Sequence, residues 1–343
     1  MKNFVKTVKI LGIESTAHTF SIAVAEKKGN KISILSNAAD KYPSTAEGYI
    51  PWKLADHHAQ VYPQVLEKAL VDAKVSLNKN EIGAVAFSQG SGIGHCLHVG
   101  YVVAKSLSAI LKVPLVGVNH GVAHIEIGKT FNCETRDPLI VYVSGGNTQI
   151  MTLDKKQHYY HVYGETIDIG IGNFLDVLGR RLALSPPDAV GVLRVAAEPA
   201  NFITLPYTVR GMNLAFSGLQ TYIEKKLIPL VKQKKISAAD VCFSAQETAF
   251  SMLCEATERA LCHTKKKEIL LCGGNARNRR LQEMLQLVCD EHKINFAVTD
   301  DIYSGDQAAM IALTGAKMLD ARCVSKDTMP RQRMRTDVTH VCW

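Results

Sequence analysis

Apolar, strand-like runs that end in glycine turns recur along the chain, and this alternation restricts the fold more than any other feature. Segments with helical periodicity separate the runs, and a pair of runs opens each half: "VKILGIEST" with "FSIAVAE", and later "LIVYV" with "TQIMTL". Alternating strand and helix patterns are typical of α/β proteins. The repeated order predicts a duplicated α/β architecture with a ligand cleft between the two halves.

Three of the glycine turns directly follow predicted strands. They are "GIEST" (12–16), "SGGN" (144–147) and "CGGN" (272–275). Turns of this kind let backbone N–H groups approach a phosphate. Because the turns are spread over both halves, they favour a nucleotide lying between the halves. None of them matches a Walker A loop or a GxGxxG fingerprint.

Length and composition limit the class of protein. The chain has 343 residues, 47% of them hydrophobic, which suffices for one large domain or two mid-sized ones. Its nine cysteines include no CxxC pair, so we expect reduced, mostly buried thiols rather than a disulfide framework or a zinc ribbon. No signal peptide and no apolar run of about 18 residues is recognisable, which predicts a soluble intracellular protein without a membrane partner.

The charge distribution favours a polyanionic partner. The formal net charge is +8, and the basic residues cluster at 223–235, 264–268, 276–280 and 330–335. Each cluster alone could equally be a solvated face. Together they indicate a nucleic acid rather than a membrane, since no basic amphipathic helix carries a bulky apolar face.

Two histidines in "GVNHGVAHIEIGK" are candidate metal ligands. His120 and His124 are four residues apart in a predicted helix, so their Cβ atoms lie on one face about 5–6 Å apart. Two ligands do not define a site, and a core histidine pair is the alternative. That alternative is the interpretation we give to His57 and His58, as structural or outer-sphere residues. The HExxH motif of a metallopeptidase is missing, because residues 121–123 are Gly, Val and Ala.

Nearly the whole chain resembles the universal family of tRNA N6-adenosine threonylcarbamoyltransferases. Segments that appear in the family's order include "LGIESTAHT", "ADHHAQ", "VNHGVAHIEIGK", "LIVYVSGGNTQ", "YGETIDIGIGNFLD", "LPYTVRGMNLAFSGL", "GGNARNRRLQEML", "SGDQAAMIA" and "RTDVTHVCW". The wording "ADHHA" and "VNHxxAHIEIG" is similar to that of the archaeal and eukaryotic cytosolic branch, whose member is the catalytic subunit of the KEOPS complex.

The resemblance implies a fold like that of actin, sugar kinases and heat-shock ATPases. Such a fold has two lobes, each with a mixed five-stranded sheet, and a cleft between them. We expect residues 1–135 to form the first lobe, with 306–343 packing back on it, and 136–305 to form the second.

The resemblance also implies a metal centre. Its ligands would be His120, His124, Asp306 of "GDQAAM" and Tyr142, the tyrosine before the Ser-Gly-Gly turn. A set of imidazole, carboxylate and phenol donors suits iron or zinc better than calcium or magnesium. We therefore expect one divalent transition-metal ion, Fe or Zn, per subunit.

Further positions match family residues that contact the substrate. These substrate-binding residues are Tyr142, Val143, Ser144, Gly145, Gly146, Asp176 and Asn278. In the family, Asp176 matches a contact to the nucleotide sugar and Asn278 a residue near the adenosine. Glu165 is a candidate for orienting the acyl donor. No residue is assigned as a catalytic general base.

The implied reaction transfers a threonylcarbamoyl group from threonylcarbamoyl-AMP to N6 of the adenosine beside the anticodon of tRNAs that read codons beginning with A. The implied partners are tRNA, a kinase-like ATPase subunit and small accessory subunits of the KEOPS complex. We expect a cytoplasmic protein, with the nucleus left open as a second compartment. The alternatives are an actin-like nucleotide-binding scaffold with reduced activity, and a metallopeptidase; nothing in the sequence supports a sugar kinase.

One segment departs from the family pattern. In "LSPPDAVGVLRV" (184–195), Ala189 and Leu193 stand where the family has a glycine and a carboxylate that contact the nucleotide. A methyl group takes up room beside a ribose, and a lost polar contact typically costs about 0.5–1.5 kcal/mol. We expect weaker binding of the acyl donor, or a contact taken over by Asp188.

Overall fold

The computed structural model describes residues 7–45, 47–78 and 81–343, and its frame is a pair of five-stranded sheets. The strands of the first sheet are β1 (Thr7–Glu14), β2 (Thr19–Lys28), β3 (Lys31–Lys41), β4 (Ile82–Gly90) and β5 (Leu115–Asn119). They lie in the order β3-β2-β1-β4-β5. β1 pairs antiparallel with β2 and parallel with β4, so the sheet is mixed.

The second sheet repeats this arrangement. Its strands are β6 (Leu139–Val143), β7 (Thr148–Asp154) and β8 (Tyr159–Glu165), followed, after the small two-stranded sheet of β9 (Val209–Arg210) and β10 (Asn213–Leu214), by β11 (Glu268–Cys272) and β12 (Asn295–Val298). The order is β12-β11-β6-β7-β8. In both sheets the first strand is central, an antiparallel hairpin lies on one side, and two parallel strands lie on the other. The predicted duplicated two-lobed architecture is confirmed.

The helices connect and cover the two sheets. They are α1 (Pro51–Ala73), α2 (Gly94–Leu111), α3 (His120–Phe131), α4 (Ile171–Arg181), α5 (Ala189–Ala196), α6 (Phe216–Tyr222), α7 (Ile228–Lys232), α8 (Ala238–Thr264), α9 (Arg279–His292), α10 (Asp301–Ser304) and α11 (Ala308–Asp320). Among these described residues, no helix combines the length and the apolar character that crossing a membrane requires.

Helix α3 lies between the two sheets, and this position explains its unusual burial. Residues 120–128 are all buried. Ala123 and Ile127 pack in a cluster with residues of the first sheet, whereas Val122 and Ile125 pack with residues of the second. The helix therefore carries apolar residues on both faces, and its first turn is held where the lobes meet.

Helix α11 follows the second sheet in the chain but packs on β1, β2 and β4 of the first. Gly12 permits this contact, because a Cβ atom there would lie 2.6 Å from the Ala308 carbonyl oxygen. The C-terminal part of the chain thus returns to the first sheet. The exact lobe boundaries given by the sequence stay predictions.

The thiol chemistry differs in part from expectation. Cys96, Cys242, Cys254, Cys272 and Cys289 are buried free thiols, as expected. Cys323 and Cys342, however, form a disulfide. The expectation of reduced thiols was wrong for this pair, because residues 19 positions apart with no recognisable spacing are brought together only by the path of the C-terminal segment.

A buried carboxylate connects α3 to three other parts of the structure. Glu126 accepts hydrogen bonds from Lys129 Nζ (2.8 Å), Lys317 Nζ (2.8 Å), Tyr160 Oη (3.2 Å) and Trp343 Nε1 (3.0 Å). Burial alone would raise the pKa of Glu126, but the two lysines lower it to about 2. Glu126 therefore stays ionised and joins α3, α11, β8 and the C-terminal residue.

We expect Glu126→Gln to lower the free energy of unfolding at pH 7 by about 3 kcal/mol, since it leaves two lysines without a buried partner. The folded pKa of Glu126 is depressed, so this stabilisation is present above the unfolded pKa near 4.5 and disappears as the pH falls toward about 2. Urea unfolding at pH 7 and at pH 3 measures both effects. The exposed Glu67→Gln is the matched control; an equal loss in both variants contradicts the prediction.

Candidate metal centre

Two imidazoles and a carboxylate converge at the start of α3. Asn119 begins the helix by accepting a hydrogen bond from the Val122 N–H (3.0 Å), which places His120 in the first turn and His124 one turn later. Their ring centroids are 4.7 Å apart. Asp306 Oδ1 lies 3.6 Å from His120 Nε2 and 3.3 Å from His124 Nε2. Ligand atoms about 2.1 Å from one tetrahedral ion lie about 3.4 Å apart, so these three donors can bind a single ion.

Glu14, at the carboxyl end of β1, orients His120 from the opposite side. Its Oε2 lies 2.9 Å from His120 Nδ1, and its Oε1 accepts a hydrogen bond from the Thr16 N–H (2.6 Å). A carboxylate that binds the second ring nitrogen of a metal-ligating histidine fixes the ring and raises its basicity. The sequence predictions do not include Glu14; the signal was an acidic residue at the buried end of the strand in "GIEST".

The electrostatics of the cluster favour a positive charge between the carboxylates. Burial lowers the pKa of His120, but Glu14 and Asp306 outweigh this and raise it to about 9. Burial would raise the pKa of Asp306, yet the two histidines hold it well below its usual range. Burial lowers the pKa of His124, which keeps that imidazole neutral. A metal ion would supply the positive charge that a proton on His120 otherwise provides.

Tyr142 offers a fourth donor atom, a phenolic oxygen, beside the histidines. It lies at the end of β6, is fully buried, and its ring centroid is 5.6 Å from that of His124. Burial, with the charge of Asp306, raises the pKa of its phenol. Within residues 7–45, 47–78 and 81–343, no group makes a hydrogen bond of ordinary geometry to the hydroxyl, and leaving a buried polar group unpaired costs about 1–3 kcal/mol. The residues present therefore fit a metal ion bound by nitrogen and oxygen donors.

The predicted phosphate turn lies directly after Tyr142 and Val143. The Ser144 N–H donates to the Asn147 carbonyl (2.8 Å), and the Asn147 N–H donates to Ser144 Oγ (3.0 Å). Gly145 and Gly146, at the tip of this closed turn, are exposed. An added Cβ atom at Gly146 would have no atom of the described part of the chain within 4 Å. The backbone there is accessible to a ligand.

Glycines also bring neighbouring segments against this turn. A Cβ atom at Gly170, where α4 begins, would lie 2.4 Å from the Gly145 carbonyl oxygen. Gly273, after β11, has a φ of +97°, and its Cβ atom would lie 2.4 Å from the Val143 carbonyl oxygen. The ends of β6 and β11 and the start of α4 thus form one continuous backbone surface.

Asn278 is also placed near this surface, but with a structural role. Its Oδ1 caps α9 by accepting a hydrogen bond from the Leu281 N–H (3.0 Å), and its side chain is buried. Its amide nitrogen and the second lone pair of Oδ1 are left for a ligand. Contact with an adenosine stays a prediction.

The departing segment keeps a contact to Asp176. Asp176 Oδ1 accepts a hydrogen bond from the Ala189 N–H (2.8 Å), and Asp188 caps α5 by accepting one from the Val190 N–H (2.9 Å). Burial, with the nearby charge of Asp188, raises the pKa of Asp176. Leu193 packs against the core of the second lobe. The substituted segment is therefore folded against α4 and supplies a second carboxylate, Asp188, near Asp176.

The remaining candidates lie in ion pairs or in the core. Glu165 Oε1 lies 3.1 Å from Arg335 Nη2, so its carboxylate is bound by the C-terminal segment. His57 Nε2 lies 2.8 Å from Asp40 Oδ1. His58 is buried against Phe20, and burial lowers its pKa to about 4. His57 is thus held in an ion pair and His58 in the core, and neither lies in the cluster of His120, His124 and Asp306.

Comparison with known proteins decides the family. The model of the family described as tRNA N6-adenosine threonylcarbamoyltransferase matches residues 32–313. The enzyme of that name from Sulfurisphaera tokodaii is 43% identical over 98% of this chain and 98% of its own length. That from Thermococcus kodakarensis is 41% identical over 97% of this chain and 99% of its own. The chain belongs to this family of enzymes.

Other similar proteins are longer or more distant. The probable bifunctional tRNA threonylcarbamoyladenosine biosynthesis protein of Methanothermobacter thermautotrophicus is 41% identical over 97% of this chain, which spans 60% of that protein. Full-length HypF has a TM-score of 0.59 at 12% identity, over 93% of this chain and 47% of HypF. An activator of 2-hydroxyisocaproyl-CoA dehydratase from Clostridium difficile has a TM-score of 0.52 at 12% identity, over 94% of this chain and 99% of the activator. These two structures share the two-lobed, actin-like fold.

We expect Glu14→Gln to weaken zinc binding at the cluster by about 10–100-fold, because the amide holds His120 less firmly and removes a negative charge. Competition with a chromogenic chelator measures the affinity directly, without reference to activity. Glu67→Gln serves as the control. If the Glu14→Gln chain is folded by circular dichroism and binds zinc as tightly as the unmodified chain, Glu14 has no part in the centre.

Proposed function

We propose that this chain transfers the threonylcarbamoyl group of threonylcarbamoyl-AMP to N6 of the adenosine beside the anticodon in tRNAs that read codons beginning with A. One observation carries the proposal: His120 and His124 lie within 3.3–3.6 Å of Asp306, next to the exposed backbone of the turn at 144–147. In a chain of this family, that arrangement combines a metal centre with a surface for the acyl donor.

The proposed reaction is an acyl transfer. A bond forms between N6 of the adenine and the carbonyl carbon of the donor, while the bond from that carbon to a phosphate oxygen breaks and AMP leaves. N6 releases a proton to solvent, and no side chain is assigned as the general base. The weak nucleophilicity of an exocyclic amine makes placement of the donor carbonyl the main task of the protein.

The residues of the cluster would hold a divalent iron or zinc ion. His120, His124, Asp306 and Tyr142 are the proposed ligands, and Glu14 keeps the Nε2 of His120 directed toward Asp306. Such an ion, when bound, supplies Lewis-acid polarisation of a carbonyl or phosphoryl oxygen. Burial of His120, His124 and Tyr142 limits the access of water to their donor atoms, whereas Asp306 is half-buried.

The turn at 144–147 would bind the donor's oxygens through its backbone. The N–H groups of Gly145 and Gly146 are the proposed contacts for the phosphate or the carbamoyl oxygen. The Ser144 N–H closes the turn by donating to the Asn147 carbonyl. Asp176 and Asn278 are the proposed contacts for the ribose and the adenine. Asp188, which lies near Asp176, is available for the polar contact that Leu193 does not make.

The proposed partners follow from charge and from the relatives. The basic clusters support tRNA binding, since a polyanion is attracted to a chain with a net charge of +8. Relatives named as bifunctional biosynthesis proteins support joint action with a second unit. We propose membership of a KEOPS complex with a kinase-like ATPase and small accessory subunits. This role belongs to the compartments where tRNA matures and is used, the nucleus and the cytoplasm.

A scaffold without transfer activity is the alternative that the segment 184–195 favours, because its substitutions alter a nucleotide contact.

The metallopeptidase alternative lacks a general base on α3: the acid nearest the histidines along that helix, Glu126, is bound to Lys129 and Lys317. Fluorogenic peptide hydrolysis with added metal tests that alternative separately.

We expect the chain, supplied with threonylcarbamoyl-AMP, its complex partners and a matching tRNA, to modify one adenosine per tRNA in a single turnover. His120→Ala with His124→Ala should reduce the rate by about three orders of magnitude, because the metal centre is lost. Mass spectrometry of nucleosides measures the product. His57→Ala is the matched histidine control. No product with the unmodified chain establishes the scaffold instead.

Two glycine variants separate folding from binding at the turn. Gly146→Ala should leave the thermal unfolding midpoint unchanged, since the added methyl group would touch no described residue of the folded chain. The same variant should weaken binding of a non-hydrolysable adenylate analogue by about tenfold. Gly170→Ala should lower the midpoint, because its methyl group meets the Gly145 carbonyl. Scanning calorimetry and titration calorimetry measure the two effects. Full affinity in the folded Gly146→Ala chain contradicts the role of the turn.

A further inference from the structure

The C-terminal segment carries a second group of metal-binding side chains, which differs from the imidazole pair in composition. Cys323, His340 and Cys342 offer two sulfurs and one ring nitrogen, all within 4.8 Å of one another. Cys323 and Cys342 are half-buried and His340 is exposed. We propose that, when the disulfide between the cysteines is reduced, these three residues bind a thiophilic transition-metal ion of the zinc type.

The distances in the cluster match such an ion. Cys323 Sγ lies 3.8 Å from His340 Nδ1. Two ligands of a tetrahedral zinc ion, one sulfur at about 2.3 Å and one nitrogen at about 2.05 Å, lie about 3.6 Å apart. The Cα atoms of Cys323 and Cys342 are 6.5 Å apart, close enough for their sulfurs to be bonded or to bind one ion after rotation about Cα–Cβ.

The third donor is the feature that a disulfide does not explain. A disulfide requires two cysteines, whereas His340 adds an imidazole next to one of the sulfurs. Two thiolates and a neutral imidazole form a soft donor set that selects zinc, ferrous iron or cuprous copper over magnesium and calcium. Two thiolates also balance the charge of a divalent ion, so the site needs no further carboxylate. Exposure of His340 leaves water access to the fourth position.

The disulfide or the bound ion would connect the two ends of one segment, residues 323–343, which we call the C-terminal strap. Gln89 Nε2 donates to the Asp327 carbonyl, and the Asn119 amide donates to the Met334 and Arg335 carbonyls. Because Asn119 is also the residue that caps α3, the strap touches the start of the helix with the imidazole pair. A link between the two ends of the strap, by disulfide or by metal, closes a loop over that helix end.

The two states of the link interconvert by balanced chemistry. A dithiol or phosphine reductant gives two electrons to the Cys323–Cys342 disulfide and is itself oxidised, which leaves two thiols. Each thiol releases its proton to solvent when the ion binds, so binding weakens as the pH falls. A small-molecule disulfide takes two electrons from the two thiolates and is reduced to two thiols with protons from solvent, so the Cys323–Cys342 bond forms again and the ion is released.

Metal stoichiometry of the full chain tests the proposal. The chain is reduced with a phosphine, desalted without oxygen, equilibrated with zinc and measured by atomic emission. We expect two zinc ions per chain, one after His120→Ala with His124→Ala, one after Cys342→Ser, and none when all three substitutions are combined. Cys262→Ser, which removes an exposed thiol outside the cluster, should keep both ions.

Two further measurements distinguish the site from a disulfide alone. His340→Ala should weaken the second zinc at least tenfold, while a disulfide would be indifferent to it. Cobalt(II) should give a thiolate-to-metal charge-transfer band in the unmodified chain and in the His120→Ala, His124→Ala chain, but none after Cys342→Ser. Any of three results overturns the proposal. The reduced chain binds a single zinc ion that is lost when His120 and His124 are replaced, or His340→Ala leaves the zinc affinity unchanged, or intact mass shows that the disulfide survives the phosphine.

Discussion

The packing of β1, α3 and α11 depends on the charge balance around His120 and His124, the imidazole pair of α3. Two carboxylates, the buried Glu14 and the half-buried Asp306, face His120 from opposite sides. Withdrawing carboxylates from water costs several kcal/mol each unless positive charge is placed beside them. A proton or a metal ion on the histidines supplies that charge. Since Glu14 ends a strand of the first sheet and Asp306 precedes α11, the same requirement holds β1, α3 and α11 together.

The structure also depends on close approach between backbone segments, which glycine permits at a few positions. Gly12 lets α11 lie against β1, and Gly170 lets α4 begin against the turn at 144–147. A side chain at either position would separate segments that now touch. Tyr142 relates the metal cluster to the exposed turn, because its ring centroid lies 5.6 Å from that of His124 and the turn begins two residues later.

The sequence predicted the elements with strong periodicity and missed those without it. The hairpin of β1 and β2 and the turn between β6 and β7 follow from apolar patterning and glycine turns. β3 and β8 were not predicted, because both are edge strands whose side chains are largely exposed or half-exposed and give little alternation. Glu14 was missed as a partner of His120 because the two lie 106 residues apart in the chain. The Cys323–Cys342 pair was missed for a similar reason: its spacing matches no motif.

The amino-acid sequence by itself determined the fold class, the family and the types of donor available, since these depend on local patterning and on motifs that stay intact in one dimension. Only the tertiary structure decided the meetings that no family motif implies: that Glu14 faces His120, that Asp176 is bound by the segment containing Ala189, and that His340 joins two cysteines. The reason is that contacts between residues distant in the chain are set by how sheets and helices pack, and packing depends on all elements at once rather than on any one of them.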